Sequence, residues 1–226
     1  MLSITDFTCT VQDKLICSGA SLQSRPGQVT VLLGASGSGK TRLLKGITGL
    51  TNELTGSFSW QGELVTSPLY HVIHMGMLFQ NNALLDGLTV GENLRLAAPV
   101  NDRELADDLN RLGLAELGAR YPGELSEGMK RRIALLRAGL GKPDLICLDE
   151  PLAGLDATAR EQVIQLVVRW QQAGSCIILS THLLTGLDQL TACYYAIAGG
   201  VLLGEYADVA AVKRAVPGLL RESDEI

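Results

Sequence analysis

The chain has 226 residues, of which 46% are apolar and 19% charged, so a sizeable core is available and wholesale disorder is excluded. Nineteen basic against 24 acidic residues give a formal charge of −5, and aromatics make up only 4%, which together argue against a nucleic-acid partner. No run of 18 apolar residues is long enough to cross a bilayer, and the start MLSITDFTCTVQDK lacks the basic and apolar regions of a secretory signal.

Residues 2–22 alternate as strands do, with breaks expected at Gln12-Asp13 and around Gly19. Val29 to Leu33 is a short apolar strand entering the stretch GASGSGKT, and a helical pattern follows through Leu43, Leu44 and Ile47 until Gly49. Phe58–Trp60, Gln61-Gly62 and Glu63–Val65 read as a hairpin, and Met75–Phe79 as a strand ending at Gln80. From about 86 to 140 the pattern turns helical. Leu105, Leu109 and Leu112 share one face, Pro122-Gly123 interrupts, and Ser126 can cap a helix running toward Leu140. Leu145–Leu148 is a buried strand entering Asp149-Glu150. A helix over 157–172 carries Val163, Ile164, Val167 and Trp170, and Cys176–Leu179 is a strand ending at Ser180-Thr181-His182. A short helix then leads to a strand at Tyr194–Ala198, a turn at Gly199-Gly200, a strand at Val201–Leu203 and an acidic tail, Glu222 to Glu225.

Strands alternating with helices predict an α/β fold with a mainly parallel sheet covered on both faces. The segment 86–140 interrupts that alternation and is predicted to be an inserted helical lobe, with 1–85 and 141–226 forming the main lobe of a single domain spanning 1–226. Cys9, Cys17, Cys147, Cys176 and Cys193 form no CxxC and read as reduced core thiols, and His71 and His74 lack metal-ligand company nearby.

Gly34-Ala35-Ser36-Gly37-Ser38-Gly39-Lys40-Thr41 fits G-x-x-x-x-G-K-[ST] at every fixed position, between a predicted strand and a predicted helix. Glycines let backbone N–H groups curl around phosphates, Lys40 reaches the β- and γ-phosphates, and the Thr41 hydroxyl ligates Mg²⁺. Asp149 closes an apolar strand about 110 residues downstream, placed to serve the metal, and Glu150 follows where it can polarise a water. A nucleotide polyphosphate and Mg²⁺ are the implied ligands.

These motifs resemble the ATP-binding cassette family of transport ATPases over nearly the whole chain, which implies ATP as the nucleotide. The loop 34–41 and Leu145–Glu150 look like the two Walker motifs. Gln80 after Met77-Leu78-Phe79 matches the Q-loop, Leu125-Ser-Glu-Gly-Met129 the signature, Ala153-Gly-Leu-Asp156 the D-loop, and His182 the switch histidine. The resemblance implies a RecA-like P-loop fold with an antiparallel β subdomain and the inserted helical lobe. It implies Glu150, His182 and Gln80 as catalytic residues, and Thr41, Gln80 and Asp149 around Mg²⁺. Two cassettes would close head-to-tail, so that Ser126, Gly128 and Asp156 of one meet the nucleotide of the other, most simply in a homodimer. The helix after Ser126 would point its positive end at that nucleotide.

Three residues depart from the family pattern. Glu127 replaces the first signature glycine and faces the triphosphate with a negative charge. Met129 replaces glutamine, and the Lys130-Arg131-Arg132 that follows reads as a solvated helix face. Val11 stands near the position of an adenine-stacking aromatic and offers the base only an apolar surface. The permease is expected as separate chains, received by a groove near Asn81–Leu94 in which Ala83-Leu84-Leu85 and Leu88 are either docking or core residues. The protein would then sit peripherally on the cytoplasmic face of the inner or plasma membrane. The pairing of MLFQ and ALLD with the signature helix resembles the ATPases of Mla-type phospholipid transporters, which implies an MCE-type lipid-binding partner. Alternatives are an importer of a small solute and a non-transport signalling cassette of the cell-division kind.

Overall fold

The computed structural model describes residues 1–11, 14–51, 54–66, 68–79, 81–184, 186–198 and 201–219, with only the backbone described at 9–11, 14–17, 19–20, 54 and 70. Gln12-Asp13, Gln80, Gly199-Gly200 and the acidic end therefore lie outside the described residues.

The first two strands, β1 (Leu2–Val11) and β2 (Lys14–Ser24), pair antiparallel, and β1 pairs on its other side with β4 (Leu54–Trp60), which continues into β5 (Glu63–Val65). The expected break at Gly19 is instead an irregularity within a continuous strand. Phe7 pairs with Ala20 and Cys9 with Cys17, so β2 spends one more residue than β1 there, which is how a sheet absorbs a strand glycine as a bulge. The β4–β5 hairpin turns through Gln61 (φ 53°) and Gly62 (φ 91°), both left-handed.

The second sheet runs in the order β10 (Val201–Tyr206), β9 (Ala192–Ala198), β3 (Val29–Leu33), β8 (Cys176–Thr181), β7 (Leu145–Asp149), β6 (Met75–Leu78). All pairings are parallel except β9–β10. Every residue of β3, β7 and β8 is buried, because both faces are covered. On one face Leu32, Leu145, Cys147, Cys176, Ile178 and Tyr195 pack with Leu43, Leu44 and Ile47 of α1 (Lys40–Thr48) and with Leu2, Ile4 and Phe7 of the antiparallel sheet. On the other, Val31, Leu33, Ile146, Leu148, Ile177 and Leu179 pack with Ile133, Ala134, Val163 and Val167. Burial pushes the Cys147 thiol up to about 12, making it an inert core group.

Between β6 and β7 the chain forms α2 (Val90–Arg95), α3 (Asp102–Arg111) and α4 (Glu127–Gly139). Thr89 and Asn101 each form a capping box, with Glu92 and Glu104. Leu105 and Leu109 are the buried face of α3, whereas α4 packs on β6, β7 and the helix α5 (Ala157–Gln172). A short helix not anticipated from sequence, α6 (Val209–Ala215), packs on β9 and β10. Among the described residues no helix is long and apolar enough to cross a membrane. The fold is the α/β arrangement expected, with the C-terminal ends of β3, β6, β7 and β8 opening on one edge, where α/β sheets place ligands.

Candidate active site

The loop between β3 and α1 enters α1 through Gly39, whose φ of 103° is a left-handed geometry that only glycine adopts freely. No side chain caps α1 and its first turn holds no acid, so its N–H groups and dipole face the loop unopposed. At Gly34 the need is for space. A Cβ there would stand 2.6 Å from Ser38 Oγ and 2.8 Å from Ile197 O. Ser38 Oγ is itself buried with no hydrogen-bond partner, an orphaned polar atom in the loop that a phosphate oxygen would satisfy.

Lys40 is 5% exposed, and its ammonium donates to Gly34 O at 2.7 Å and Ala35 O at 3.1 Å and pairs with Glu150 Oε1 at 3.2 Å. Glu150 in turn accepts from His182 Nδ1 at 2.9 Å. An ionised carboxylate only accepts, so Nδ1 carries the proton in this contact and Nε2 of a neutral ring is an acceptor. On the other side of the loop, Thr41 Oγ1 donates to Asp149 Oδ2 at 2.7 Å, and Ser180 Oγ donates to Asp149 Oδ1 at 2.5 Å. Asp149 is fully buried, and two hydroxyls hold both of its oxygens. The hydroxyl of Thr41, oriented by a buried carboxylate, and the uncapped end of α1 suit Mg²⁺ bound to a polyphosphate.

Glu150 has a φ of 48°, a left-handed conformation that costs a non-glycine residue about 1–2 kcal/mol. Its N–H is shared between Ser180 O at 3.0 Å and Ser180 Oγ at 3.2 Å. Behind it lies Arg131, whose guanidinium donates to the carbonyls of Phe79 (2.7 Å), Asp149 (2.5 Å) and Glu150 (2.9 Å). Burial holds the Arg131 pKa below its ordinary value, and the nearby Asp149 and Glu150 charges offset only part of that.

The structure thus gathers Gly34 to Thr41, Asp149, Glu150 and His182 at one edge. Among the described residues no hydrogen bond or ion pair ties Ser126, Gly128 or Asp156 to the loop. Ser126 Oγ caps α4 by accepting from Met129 N at 3.3 Å, Gly128 lies near Leu155, and Asp156 caps α5 by accepting from Ala159 N at 2.8 Å. Gln80 lies outside the described residues, and Val11 is described only as backbone, opposite Lys14 at the end of β1.

The solvated face expected for 130–132 is not found. Arg131 is 8% exposed, and Arg132 is half-buried, donating to Leu112 O at 2.7 Å. Ser180 and Arg131 are the site's two residues that sequence reading missed. The available signal was helical spacing, since Arg131 shares a face with the buried Ala134, Leu135 and Ala138. Glu127 is exposed and paired with Lys130 at 2.9 Å, so a cation partly offsets the charge that departs from the family pattern.

A protein-family model described as ABC transporter matches residues 17–153. The taurine import ATP-binding protein of Chromobacterium violaceum is 39% identical over 172 residues, covering 73% of this chain and 65% of the relative. The aliphatic sulfonates import ATP-binding protein of Bacillus subtilis is 35% identical over 172 residues, covering 74% and 66%. The chain thus spans just under two thirds of the length of these curated relatives. Among solved structures, an ATP-binding subunit of an ABC transporter superposes with a TM-score of 0.83 at 24% identity, covering 95% of this chain and 92% of that one, which establishes likeness of fold.

Proposed function

The chain belongs to the ABC transporter family, and on that premise we propose that it is an ATP-hydrolysing subunit powering a separate permease that imports a small solute, with sulfonates such as taurine the first class to test. The observation that carries the ATP-hydrolysing part of the reading is the string Lys40–Glu150–His182 set beside Thr41–Asp149 at the strand ends, and the import part rests on the names of the relatives.

ATP is the substrate. Its phosphate oxygens meet the N–H groups of residues 34–41, the Ser38 hydroxyl and the Lys40 ammonium. Thr41, with Asp149 behind it, would hold Mg²⁺, for which Gln80 is the further expected ligand, and the ion would supply charge neutralisation at the β- and γ-phosphates. A phosphate drawing on Lys40 competes with Glu150 for the same ammonium, which frees the carboxylate for water. Glu150 takes a proton from that water as its oxygen bonds to the γ-phosphorus and the bond to ADP breaks, the electron pair leaving with ADP. His182 holds Glu150 through Nδ1, and its Nε2 can donate to a phosphate oxygen only when the ring carries both protons. Ser126, Gly128 and Asp156 act across a dimer of two cassettes. The lobes 1–85 with 141–226 and 86–140 are the parts that closure moves.

The phospholipid reading and its MCE-type partner draw no support from the Chromobacterium violaceum and Bacillus subtilis relatives, which are named for import of taurine or aliphatic sulfonates. Small-solute import is the better-supported alternative, acting peripherally on the cytoplasmic face of the membrane.

The test is purification of Glu150→Gln with Mg²⁺ and ATP from detergent-solubilised membranes, followed by mass spectrometry of what accompanies it. A permease with a solute-binding protein, and turnover by the wild type in proteoliposomes that rises with taurine-loaded binding protein, would support import. An MCE-type protein with bound phospholipid would overturn it in favour of lipid transport, and no membrane partner would remove transport altogether.

A further inference from the structure

Arg131 sits in α4, on the far side of β7 from the phosphate loop, and it is a buried cation with no carboxylate bonded to it. Its Nη1 donates to Phe79 O at 2.7 Å and reaches Asn82 Oδ1 at 3.5 Å, and its Nη2 donates to Asp149 O at 2.5 Å and Glu150 O at 2.9 Å. A buried guanidinium without a bonded counter-ion is costly to desolvate, and an apolar side chain of similar volume would fill the space for less. What the guanidinium adds is position. The β6–β7 ladder ends at the pair Leu78–Leu148, so Phe79 and Asp149 are the first residues the sheet no longer holds together. The planar fork of Arg131 bridges them where the ladder stops. The residue it reaches next, Glu150, is the one held at a φ of 48°.

We propose that Arg131 is a positioning residue for Glu150: by holding the Asp149 and Glu150 carbonyls it fixes the left-handed turn that aims the Glu150 carboxylate at Lys40 and His182, and by holding Phe79 O with the same guanidinium it makes that aim depend on the exit of β6. The proposal rests on the reading of Glu150 as the base for water. A lysine cannot replace this arrangement, because a single ammonium does not span two separated groups of carbonyls as two Nη atoms on a rigid plane do. Arg137 is the natural control. It is also partly buried in α4 and donates to Asn82 O at 3.0 Å and Ala83 O at 2.5 Å, so it grips the same loop without touching β7.

The experiment compares Arg131→Lys, Arg137→Lys and Glu150→Gln, alone and combined, in the full chain, reading ATP turnover against ATP concentration, melting temperature and amide hydrogen exchange of the peptide around 149–152. Arg131→Lys should lower kcat on the order of 10–100-fold with KM for ATP within about threefold. It should speed exchange at Glu150, and in the Glu150→Gln background it should lower the residual turnover by less than about twofold. Arg131→Gln serves in its place if the lysine variant does not fold. A raised KM with kcat intact, a full additional loss in the Glu150→Gln background, or equal losses of kcat in Arg137→Lys would each overturn the proposal. Exchange at Glu150 unchanged from wild type would overturn it even without turnover. A Glu150→Gln protein that hydrolyses ATP at the wild-type rate would instead defeat the active-site reading itself.

Discussion

Two neighbouring parallel strands, β6 and β7, leave the sheet at the same edge; Arg131 grips carbonyls of both, and what differs is that the β7 exit is secured by its own side chains as well. The exit of β7 is ordered by side chains: Asp149 between the Thr41 and Ser180 hydroxyls, Glu150 between Lys40 and His182. The exit of β6 is ordered through its carbonyls. Arg131 and Arg137 hold Phe79, Asn82 and Ala83, while the fully buried Asn93 accepts from Leu85 N and donates to Leu85 O, Leu88 O and Thr89 O. That second exit keeps Leu85 54% exposed on a braced backbone. The first arrangement depends on residue type, since each of its bonds needs a particular side-chain group. The second is set by the backbone, which these side chains hold in place.

Substitutions separate the two arrangements. The largest effect is expected at the exit of β7. Glu150→Gln removes the proton acceptor and should lower turnover on the order of 10²–10⁴-fold in a phosphate-release assay, while ATP binding by fluorescence titration persists. Binding lost together with turnover would show that Glu150 serves the loop's structure more than its chemistry.

At the exit of β6, Asn93→Ala removes four part-buried hydrogen bonds and should cost about 1–3 kcal/mol, read as a melting temperature lower by several degrees. Turnover of the isolated subunit should fall far less than in Glu150→Gln, whereas stimulation by the assembled permease should be lost. Equal losses in both assays would erase the distinction between the two exits.

The smallest effect is expected at the start of α4. Glu127→Gly removes a charge that Lys130 already offsets, so ATP-dependent dimer formation, measured by light scattering in the Glu150→Gln background, should change by only about twofold. A much larger gain would mean that the pair opens when the triphosphate arrives.

The side-chain-ordered exit was legible in the sequence because its residue types are its function: a lysine and threonine at fixed spacing after glycines, and two carboxylates closing an apolar strand. The carbonyl-ordered exit was not, because a carbonyl belongs to every residue and leaves no mark on composition. Lys130-Arg131-Arg132 accordingly read as a solvated face, although only Lys130 is paired in the exposed way that reading supposes. Asp156 shows the converse. Its place in a motif suggested a nucleotide contact, while the bond it makes within this chain is the α5 cap, a role any Asp before a helix can fill. The sheet order itself followed from alternation only in class. Which strands are neighbours depends on crossovers that periodicity does not encode.

That order has a consequence for how the protein is made. β3, encoded by residues 29–33, is flanked by β8 and β9, whose residues 176–181 and 192–198 are synthesised about 145 and 160 residues later. The loop that follows β3 therefore lacks both flanking strands until residue 198 has been translated. Nascent chains halted before about residue 198 should hold their glycine-rich loop without a sheet beneath it. Protection of that loop from proteolysis should appear abruptly once β9 has emerged and both flanks can close.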